Sequence, residues 1–268
     1  MEGLSEDLAR KLDEAVRLIT GADYLVAMVG AGLSVESGIP PFRGPGGLWT
    51  KYGEPPMLAY REFLDDPEVW WRNRLAGEEE PGNPVYELKL AVDRAEPNSG
   101  HHALVELEHW GLLKHTLTQN VDNLHRRAGS ESLLEIHGNR TWLRCLECRL
   151  RFAKEGFPLA ELPPKCLECG GILKFDTVMF GERIPPDVLQ ACWEQVALCD
   201  CMLLVGTSGT VSPAAQMPLV AKRQGASLIE VNPYETKLTP RCDVTLTGPS
   251  GHILPLLVER LLRDRSLP

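Results

Sequence analysis

The 268-residue chain has no apolar run long enough to cross a membrane, and its opening residues, MEGLSEDLARKLDEAVRLI, lack the unbroken apolar stretch of an export signal. Neither a membrane protein nor an exported one is expected, and the compartment expected is the cytoplasm. Positive charge is in short supply: 28 Lys and Arg stand against 37 Asp and Glu, giving a net charge of −9. That excludes a general attraction to phosphate backbones or anionic membranes, so neither nucleic acid nor membrane is an expected partner. Internal repeats and low-complexity tracts are also absent, which excludes a repeat array.

What is present is a globular composition, 43% hydrophobic, enough for one large core or one large and one small domain. Leu4, Leu8, Leu12, Ala15 and Leu18 or Ile19 share one helical face, and Tyr24 to Gly30 reads as a buried strand. Further short apolar strands are expected at 112–118, 133–136, 201–206, 227–231 and 244–247. Helices are expected at 84–95, 100–110, 187–198, 213–224 and 251–263. This alternation predicts an α/β fold, a Rossmann-like doubly wound parallel sheet covered on both faces. Residues 38–82, rich in Pro, Trp and charge, and 141–179, with four cysteines, break the rhythm. They read as a smaller inserted domain, a helical lobe plus a zinc ribbon, leaving 1–37, 83–140 and 180–268 to the large domain.

Cys145-Leu-Glu-Cys148 and Cys166-Leu-Glu-Cys169 stand 17 residues apart. The paired spacing is that of a tetrahedral four-thiolate site with no position open to water or substrate, so one structural zinc is expected. Two disulfides, or two redox Cys-x-x-Cys pairs, are the competing readings and fit a duplicated motif in a reducing compartment less well. Cys192, Cys199, Cys201 and Cys242 read as ordinary buried or partly buried thiols. Arg140, Arg144, Arg149, Arg151, Lys154, Lys165 and Lys174 make the window mildly basic, and a non-enzymatic zinc-ribbon binding module is one reading of it.

Gly30-Ala31-Gly32-Leu33-Ser34 follows a strand directly. Glycines there let the backbone turn sharply and approach a pyrophosphate, whose charge is favoured by the N-terminus of a following helix. The dinucleotide fingerprint is incomplete: Val35 occupies the place of a third glycine, and no well-placed acidic residue lies about 20 residues on to hold a ribose. A tight strand-to-helix turn is the plain alternative. Gln119, Asn120 and Asp122 end another strand, where a polar turn with Asp122 or Asn123 as helix cap is equally open. Gly206-Thr207-Ser208 offers amides and hydroxyls of a kind that bind phosphate, or that cap the next helix. His137 follows a strand and precedes Gly138, but among seven histidines its position alone does not single it out.

Taken in order, GAGLSVESGIPPFRG (30–44), TQNVDNLH (118–125), EIHGN (135–139), the four cysteines, VMFGE (178–182), GTSGTVSPAA (206–215) and EVNP (230–233) resemble the sirtuins, NAD-dependent protein-lysine deacylases, of the bacterial and archaeal type. The resemblance covers about residues 20 to 260; Pro41 departs from it, standing where Asp or Thr is usual before Phe-Arg. It implies one catalytic unit over the whole chain, with NAD as co-substrate and acyl-lysine proteins or peptides as partners. The acyl-lysine carbonyl oxygen would attack C1′ of the nicotinamide ribose and expel nicotinamide. His137 would then act as general base on a ribose hydroxyl, on the way to free lysine and O-acyl-ADP-ribose. An imidazole, with an ordinary pKa of about 6.5, suits that task.

The resemblance further implies that Gly30, Ala31, Gly32, Ser34, Trp49 and Gln119 contact the cofactor, that Phe42 covers the reacting ribose face and that Arg43 stabilises the bound cofactor. Asn120 would position the ribose and a water, and Asp122 would face the carboxamide. Gly206, Thr207 and Ser208 would hold phosphate, Asn232 the adenosine ribose and Ser250 the adenine through its backbone. An extended peptide would pair along Val178 to Glu182, touching Val178, Phe180 and Gly181, and with the loop near Gly209 to Val211. The plain reading of Val178 and Phe180 is a strand facing a core. A mono-ADP-ribosyltransferase shares the first step and is the alternative; His137 favours deacylation, the only one of the two that needs a base to bring the ribose hydroxyl onto the acyl carbon.

Gly46-Gly47-Leu48-Trp49 and the GTSG and VDNLH variants look nearer the desuccinylase-like branch, whose acid pocket is marked by Tyr-x-x-Arg. Here the region reads Val69-Trp70-Trp71-Arg72-Asn73-Arg74, without that Tyr. Neutral acyl groups are therefore expected as substrates. Trp70, Trp71 and Leu58 stand open either as walls of an apolar acyl channel or as packing residues.

Overall fold

The computed structural model describes residues 5–44 and 46–264. Leu4, the first position of the expected opening face, lies outside the described residues. The strands are β1 (Leu25–Val29), β2 (Leu113–Thr118), β3 (Leu133–Glu135), β4 (Trp142–Cys145), β5 (Arg151–Ala153), β6 (Leu173–Phe175), β7 (Cys201–Val205), β8 (Ser227–Asn232) and β9 (Val244–Thr247). The helices are α1 (Glu6–Thr20), α2 (Leu48–Tyr52), α3 (Ala59–Asp65), α4 (Pro67–Gly77), α5 (Pro84–Arg94), α6 (Ser99–His109), α7 (Leu124–Ala128), α8 (Pro186–Leu198), α9 (Met217–Arg223) and α10 (Ser250–Asp264).

Six strands form one parallel sheet in the order β3-β2-β1-β7-β8-β9. Because successive side chains of a strand point to opposite faces, β1 feeds two cores. Leu25, Ala27 and Val29 pack with Leu12 and Ile19 of α1, Leu104 and Leu107 of α6 and Leu254 and Leu257 of α10. Val26 and Met28 pack on the other side with Cys192 and Val196 of α8 and Met217 and Ala221 of α9. Burial on both faces is why β1 and β7 read as unbroken apolar runs, LVAMV and CMLLV. Helix α1 begins at Ser5, whose hydroxyl accepts the Leu8 N–H at 3.2 Å.

Between β3 and β7 the chain builds a second, antiparallel sheet, β5-β4-β6. Its core joins Phe63 of α3 and Trp71 of α4 to Leu143, Leu173, Phe175 and the cysteines Cys145 and Cys166. Trp71 is fully buried, its ring lies tilted 4.7 Å from that of Phe175, and its indole N–H donates to the Leu173 carbonyl at 2.9 Å. Trp70 packs edge-on against Phe63. Both tryptophans therefore take the packing role and neither lines the large cavity described below; Leu58 stays exposed outside that cavity.

Candidate active site and metal centre

In the sheet order, β1 has β2 on one side and β7 on the other, with the chain running outward in opposite directions from this point. Such a switch opens a crevice beyond the carboxyl ends of the strands, where open α/β sheets hold ligands. The loops leaving β1 and β7 meet there. A Cβ on Gly32 would lie 2.6 Å from the Gly206 Cα, and one on Gly30 would lie 2.8 Å from the Gly206 carbonyl oxygen. The Gly32 N–H donates to that carbonyl at 2.9 Å. These glycines thus serve first to bring two loops into backbone contact. The stretch after β1 is also not the expected α-helix but a 3-10 segment, Ala31–Ser37, stopped by Gly38 at φ +88° and by Pro40-Pro41.

Below this joint lies a cavity of about 1540 Å³. Gly30, Ala31, Gly32, Phe42, Arg43, Trp49, Gln119, Asn120, His137, Gly206, Thr207, Ser208 and Asn232 all line it, together with Val178, Phe180 and Gly181. Sequence neighbours of five strand ends thus converge on one space. Gln119 donates from Nε2 to the Thr207 hydroxyl at 2.9 Å, and Asn232 donates from Nδ2 to the Thr207 carbonyl at 3.3 Å, tying the ends of β2, β7 and β8 together. Phe42, Trp49 and Phe180 form an aromatic rim at 5.1 and 5.5 Å centroid separation, with the Arg43 guanidinium over the Trp49 ring at 4.2 Å. Arg43 also pairs with Glu54 at 3.1 Å and donates to Thr210 at 3.1 Å.

Three expected contacts lie outside the cavity wall. Ser34 and Asp122 are buried one layer behind it, where the Ser34 hydroxyl donates to Asp122 Oδ2 at 2.7 Å. Asp122 Oδ1 accepts the Leu124 N–H at 2.9 Å, closing the polar turn that leads into α7, whose N-cap position is Asn123 with no side-chain cap bond of its own. Asn120 is fixed by the same cluster, its Nδ2 donating to Ser34 Oγ and to the Gly30 carbonyl, both at 3.1 Å. Ser250 sits at the start of α10, buried, with no partner for its hydroxyl among the described residues; its neighbour Pro249 reaches the cavity.

The 178–182 segment is not a strand. Phe180 and Gly181 form a turn, with Gly181 at φ +82°. Several of its backbone groups are already committed: Val178 N–H to the His137 carbonyl at 2.9 Å, Met179 N–H to Glu182 Oε2 at 2.8 Å, and the Phe180 carbonyl to Tyr60 N–H at 3.0 Å. The segment lines the cavity, and Val178 also packs against the core on the α8 and α9 side of the sheet, so of the plain reading the core contact of Val178 holds and the strand does not.

His137 is set by its surroundings. Its Nδ1 lies 3.2 Å from the Gln119 carbonyl oxygen. A carbonyl only accepts, so the contact holds the proton on Nδ1 and leaves Nε2 as the basic nitrogen. Burial pushes its pKa below the ordinary value, opposed by that same hydrogen bond, so the ring is neutral at pH 7. Gly138, at φ +74°, secures the position: a Cβ there would stand 1.6 Å from the Asp176 carbonyl oxygen. Gly138→Ala is expected to destabilise the fold by roughly 3–5 kcal/mol, strain and overpacking together, as read by chemical denaturation. Its residual folded fraction should be at least about 10²-fold less active, because His137 is displaced.

At the edge of the second sheet the four sulfurs of Cys145, Cys148, Cys166 and Cys169 lie within 4.8 Å of one another. Cys145 and Cys169 approach to 3.5 Å, Cys148 and Cys166 to 3.6 Å. Four thiolates about 2.3 Å from a tetrahedral zinc stand about 3.8 Å apart, whereas disulfide sulfurs stand about 2.05 Å apart, so the cluster fits zinc and not two disulfides. Cys192, Cys199 and Cys201 are buried thiols, each pushed up to about 12 by burial, as is Cys242. Metal analysis should return one zinc per chain. Strong chelation should lower the melting temperature and change the fluorescence of Trp71, whose packing partners share a core with Cys145 and Cys166; zinc should restore both.

With the site assembled, comparison with known proteins is decisive. The model of the family described as Sir2 matches residues 30–213. The chain belongs to the Sir2 family. It is 41% identical over 255 residues to the NAD-dependent protein deacylase 1 of Archaeoglobus fulgidus, covering 95% of this chain and 99% of that protein. A crystal structure of a Sir2 homolog in complex with NAD matches at a TM-score of 0.79 and 40% identity over 94% of each chain. A Sir2 complex with a p53 peptide and NAD+ matches at a TM-score of 0.75 and 30% identity, over 93% of this chain and 98% of that one.

Within this Sir2-family chain, several lining residues escaped sequence reasoning: Arg74, Val121, Arg140 and Tyr234 among them. Arg140 carried one usable signal, its place three residues after His137; Arg74 carried none, because a single arginine on a helix usually faces solvent.

Proposed function

We infer that the chain is an NAD-dependent protein-lysine deacylase, acting on acyl-lysine proteins or peptides. The single observation that carries this reading is His137, neutral, oriented by the Gln119 carbonyl and facing the same cavity as the glycine loops. The cavity fits NAD: it is walled at the switch point by backbone that admits no side chain, and the buried Ser250 hydroxyl beside it has no hydrogen-bond partner among the described residues. When bound, NAD supplies an electrophilic ribose carbon and, after nicotinamide leaves, the hydroxyl that receives the acyl group.

The chain's own groups do the rest. Gly30, Ala31, Gly32, Gly206, Thr207 and Ser208 cradle the phosphates, and Asn232 and Ser250 hold the adenosine end. Phe42, Trp49 and Arg43 close over the reacting ribose and limit access of water. Asn120, its amide nitrogen committed to Gly30 and Ser34, presents the amide oxygen. Ser34 and Asp122 act through Asn120 by fixing it. His137 accepts the proton of the attacking ribose hydroxyl at Nε2. Val178, Phe180 and Gly181 receive the peptide, with the 178–182 turn opening its backbone groups to it. We read residues 1–37, 83–140 and 180–268 as the large domain and 38–82 and 141–179 as the small one, with one structural zinc. Eight thiols, four of them grouped for zinc, suit a reducing compartment, which supports a cytoplasmic enzyme; no described helix is long and apolar enough to cross a membrane.

The test is an acyl-lysine peptide incubated with and without NAD and followed by mass spectrometry. Free lysine and O-acyl-ADP-ribose that appear only with NAD support the reading. Intact acyl-lysine together with ADP-ribose attached to protein would replace it with mono-ADP-ribosyl transfer.

A further inference from the structure

Lys174, one of the cations that make the zinc window basic in sequence, does not face solvent: in β6 it is 1% exposed. Its neighbours along the strand, Leu173 and Phe175, belong to the core around Trp71 and the cysteines. A buried ammonium is costly unless its protons meet acceptors, and an apolar side chain would fill the same space without that cost. The three protons of Lys174 do meet acceptors. Nζ donates to the Phe175 carbonyl at 2.7 Å and to the Thr177 carbonyl at 2.9 Å, and stands 3.2 Å from Glu182 Oε2.

Those partners lead to the cavity. Glu182 lines it, with its side chain 13% exposed, whereas Lys174 lies behind the wall. The same Oε2 accepts the Met179 N–H at 2.8 Å. Lys174 therefore grips the chain on both sides of the turn, at Thr177 through its carbonyl and at Glu182 through its carboxylate. The Val178 N–H on the His137 carbonyl and the Phe180 carbonyl on the Tyr60 N–H complete the hold. Among the described residues it leaves the Val178 carbonyl and the Phe180 N–H without a hydrogen bond, and an extended peptide pairs through groups of this kind.

We propose that Lys174 is a positioning residue for peptide binding: through Glu182 it clamps the 178–182 turn in the form that exposes those two groups, touching neither NAD nor the acyl-lysine. This rests on the deacylase reading with the peptide received along that turn. Without the ammonium, Glu182 has no cation to hold it inward and can swing into the cavity. The Met179 N–H and the Thr177 carbonyl then lose their partners, and the turn samples other shapes. A peptide must order it before binding, and that cost falls on peptide affinity. NAD binding is spared, because the glycine loops leave the large sheet and are joined to each other by backbone contact. Proton transfer is spared as well, because the His137 ring is oriented by the Gln119 carbonyl.

Lys174→Met keeps the length of the stem and removes the charge. With acyl-lysine peptide and NAD varied in turn, its peptide KM should rise about tenfold. NAD KM, NAD affinity by calorimetry and kcat at saturating peptide should each stay within about twofold, as expected when only ground-state binding is lost. Glu182→Gln can still accept the Met179 N–H but cannot pair with the ammonium, so peptide KM should rise in the same direction and by less. The double variant should be no worse than Lys174→Met alone; additive effects would mean that the two side chains act separately and would overturn the clamp. All variants are compared as folded protein with one zinc per chain. A peptide KM within about twofold of the unaltered protein in Lys174→Met overturns the proposal. So does a parallel loss of NAD affinity, which would make Lys174 a support of the fold alone. If Lys174→Met does not fold, Glu182→Gln decides on the same two criteria. Absence of NAD-dependent turnover in the unaltered protein overturns the deacylase reading and the clamp with it.

Discussion

His137→Ala is expected to lower NAD-dependent acyl transfer by about 10²–10⁴-fold, the usual worth of a positioned proton acceptor. The argument is geometric. The Gln119 carbonyl at 3.2 Å fixes the tautomer, and the backbone beside the ring is held where Gly138 packs against the Asp176 carbonyl. Alanine removes the base while leaving the glycine cradle and the aromatic rim untouched, so NAD affinity by calorimetry should change little. Nicotinamide release needs no base and should survive better than formation of O-acyl-ADP-ribose. Because burial lowers the His137 pKa, the acid limb of the kcat/KM profile should fall below pH 6.5 rather than at it. Equal loss of NAD binding and turnover in the variant would mean that His137 supports the pocket and does not move the proton.

The second large effect is on stability in mild acid. His101 and His125 are both buried, their rings 5.1 Å apart, and neither Nε2 has a hydrogen-bond partner among the described residues. The Asn98 N–H donates to His101 Nδ1 at 3.3 Å, so that nitrogen carries no proton. Burial, helped by the neighbouring histidines, pushes His101 down to about 3. Burial pushes His125 down to about 4 against the pull of Asp122 and other carboxylates. In the unfolded chain both titrate near 6.5. Between pH 6.5 and about 4 the unfolded state thus binds about two more protons than the folded one, and stability falls as pH falls. The slope is about 2.7 kcal/mol per pH unit from these two rings, or about 4 kcal/mol lost between pH 7 and pH 5. His115 and His137, also lowered by burial, add in the same direction. The carboxylates with lowered pKa, such as Glu108 and Asp243, give up their contribution only at lower pH. Urea denaturation at pH 7, 6 and 5 reads the slope directly. A His101→Gln, His125→Gln double variant should flatten it by about two protons' worth; an unchanged slope would show that the pair does not carry the acid sensitivity.

Much of the architecture was legible because it depends on local pattern. LVAMV and CMLLV announce strands buried on both faces, and the helical face of Leu8, Leu12, Ala15 and Ile19 announces α1. The four cysteines were equally legible, since a metal site needs only ligand type and spacing. The segment after Gly32 was misread as a helix start because glycine marks a turn but does not say what the backbone next meets, and here it meets Gly206. That 178–182 is a turn in the free chain was not legible for a related reason: several of its backbone groups bond to His137, Tyr60 and Glu182, partners 3 to 120 residues away.

By itself, then, the sequence determined the strand and helix segments, the metal ligands and the family blocks, because each is written in spacings of a few residues. Only the tertiary structure decided which of those residues share a wall. It put Ser34 and Asp122 behind the cavity as supports, Trp70 and Trp71 into the joint between helices and zinc ribbon, and Arg140 into the same cavity wall as His137. Those outcomes depend on burial and on which partner satisfies each polar group, quantities set by the whole packed chain and absent from any short stretch of it.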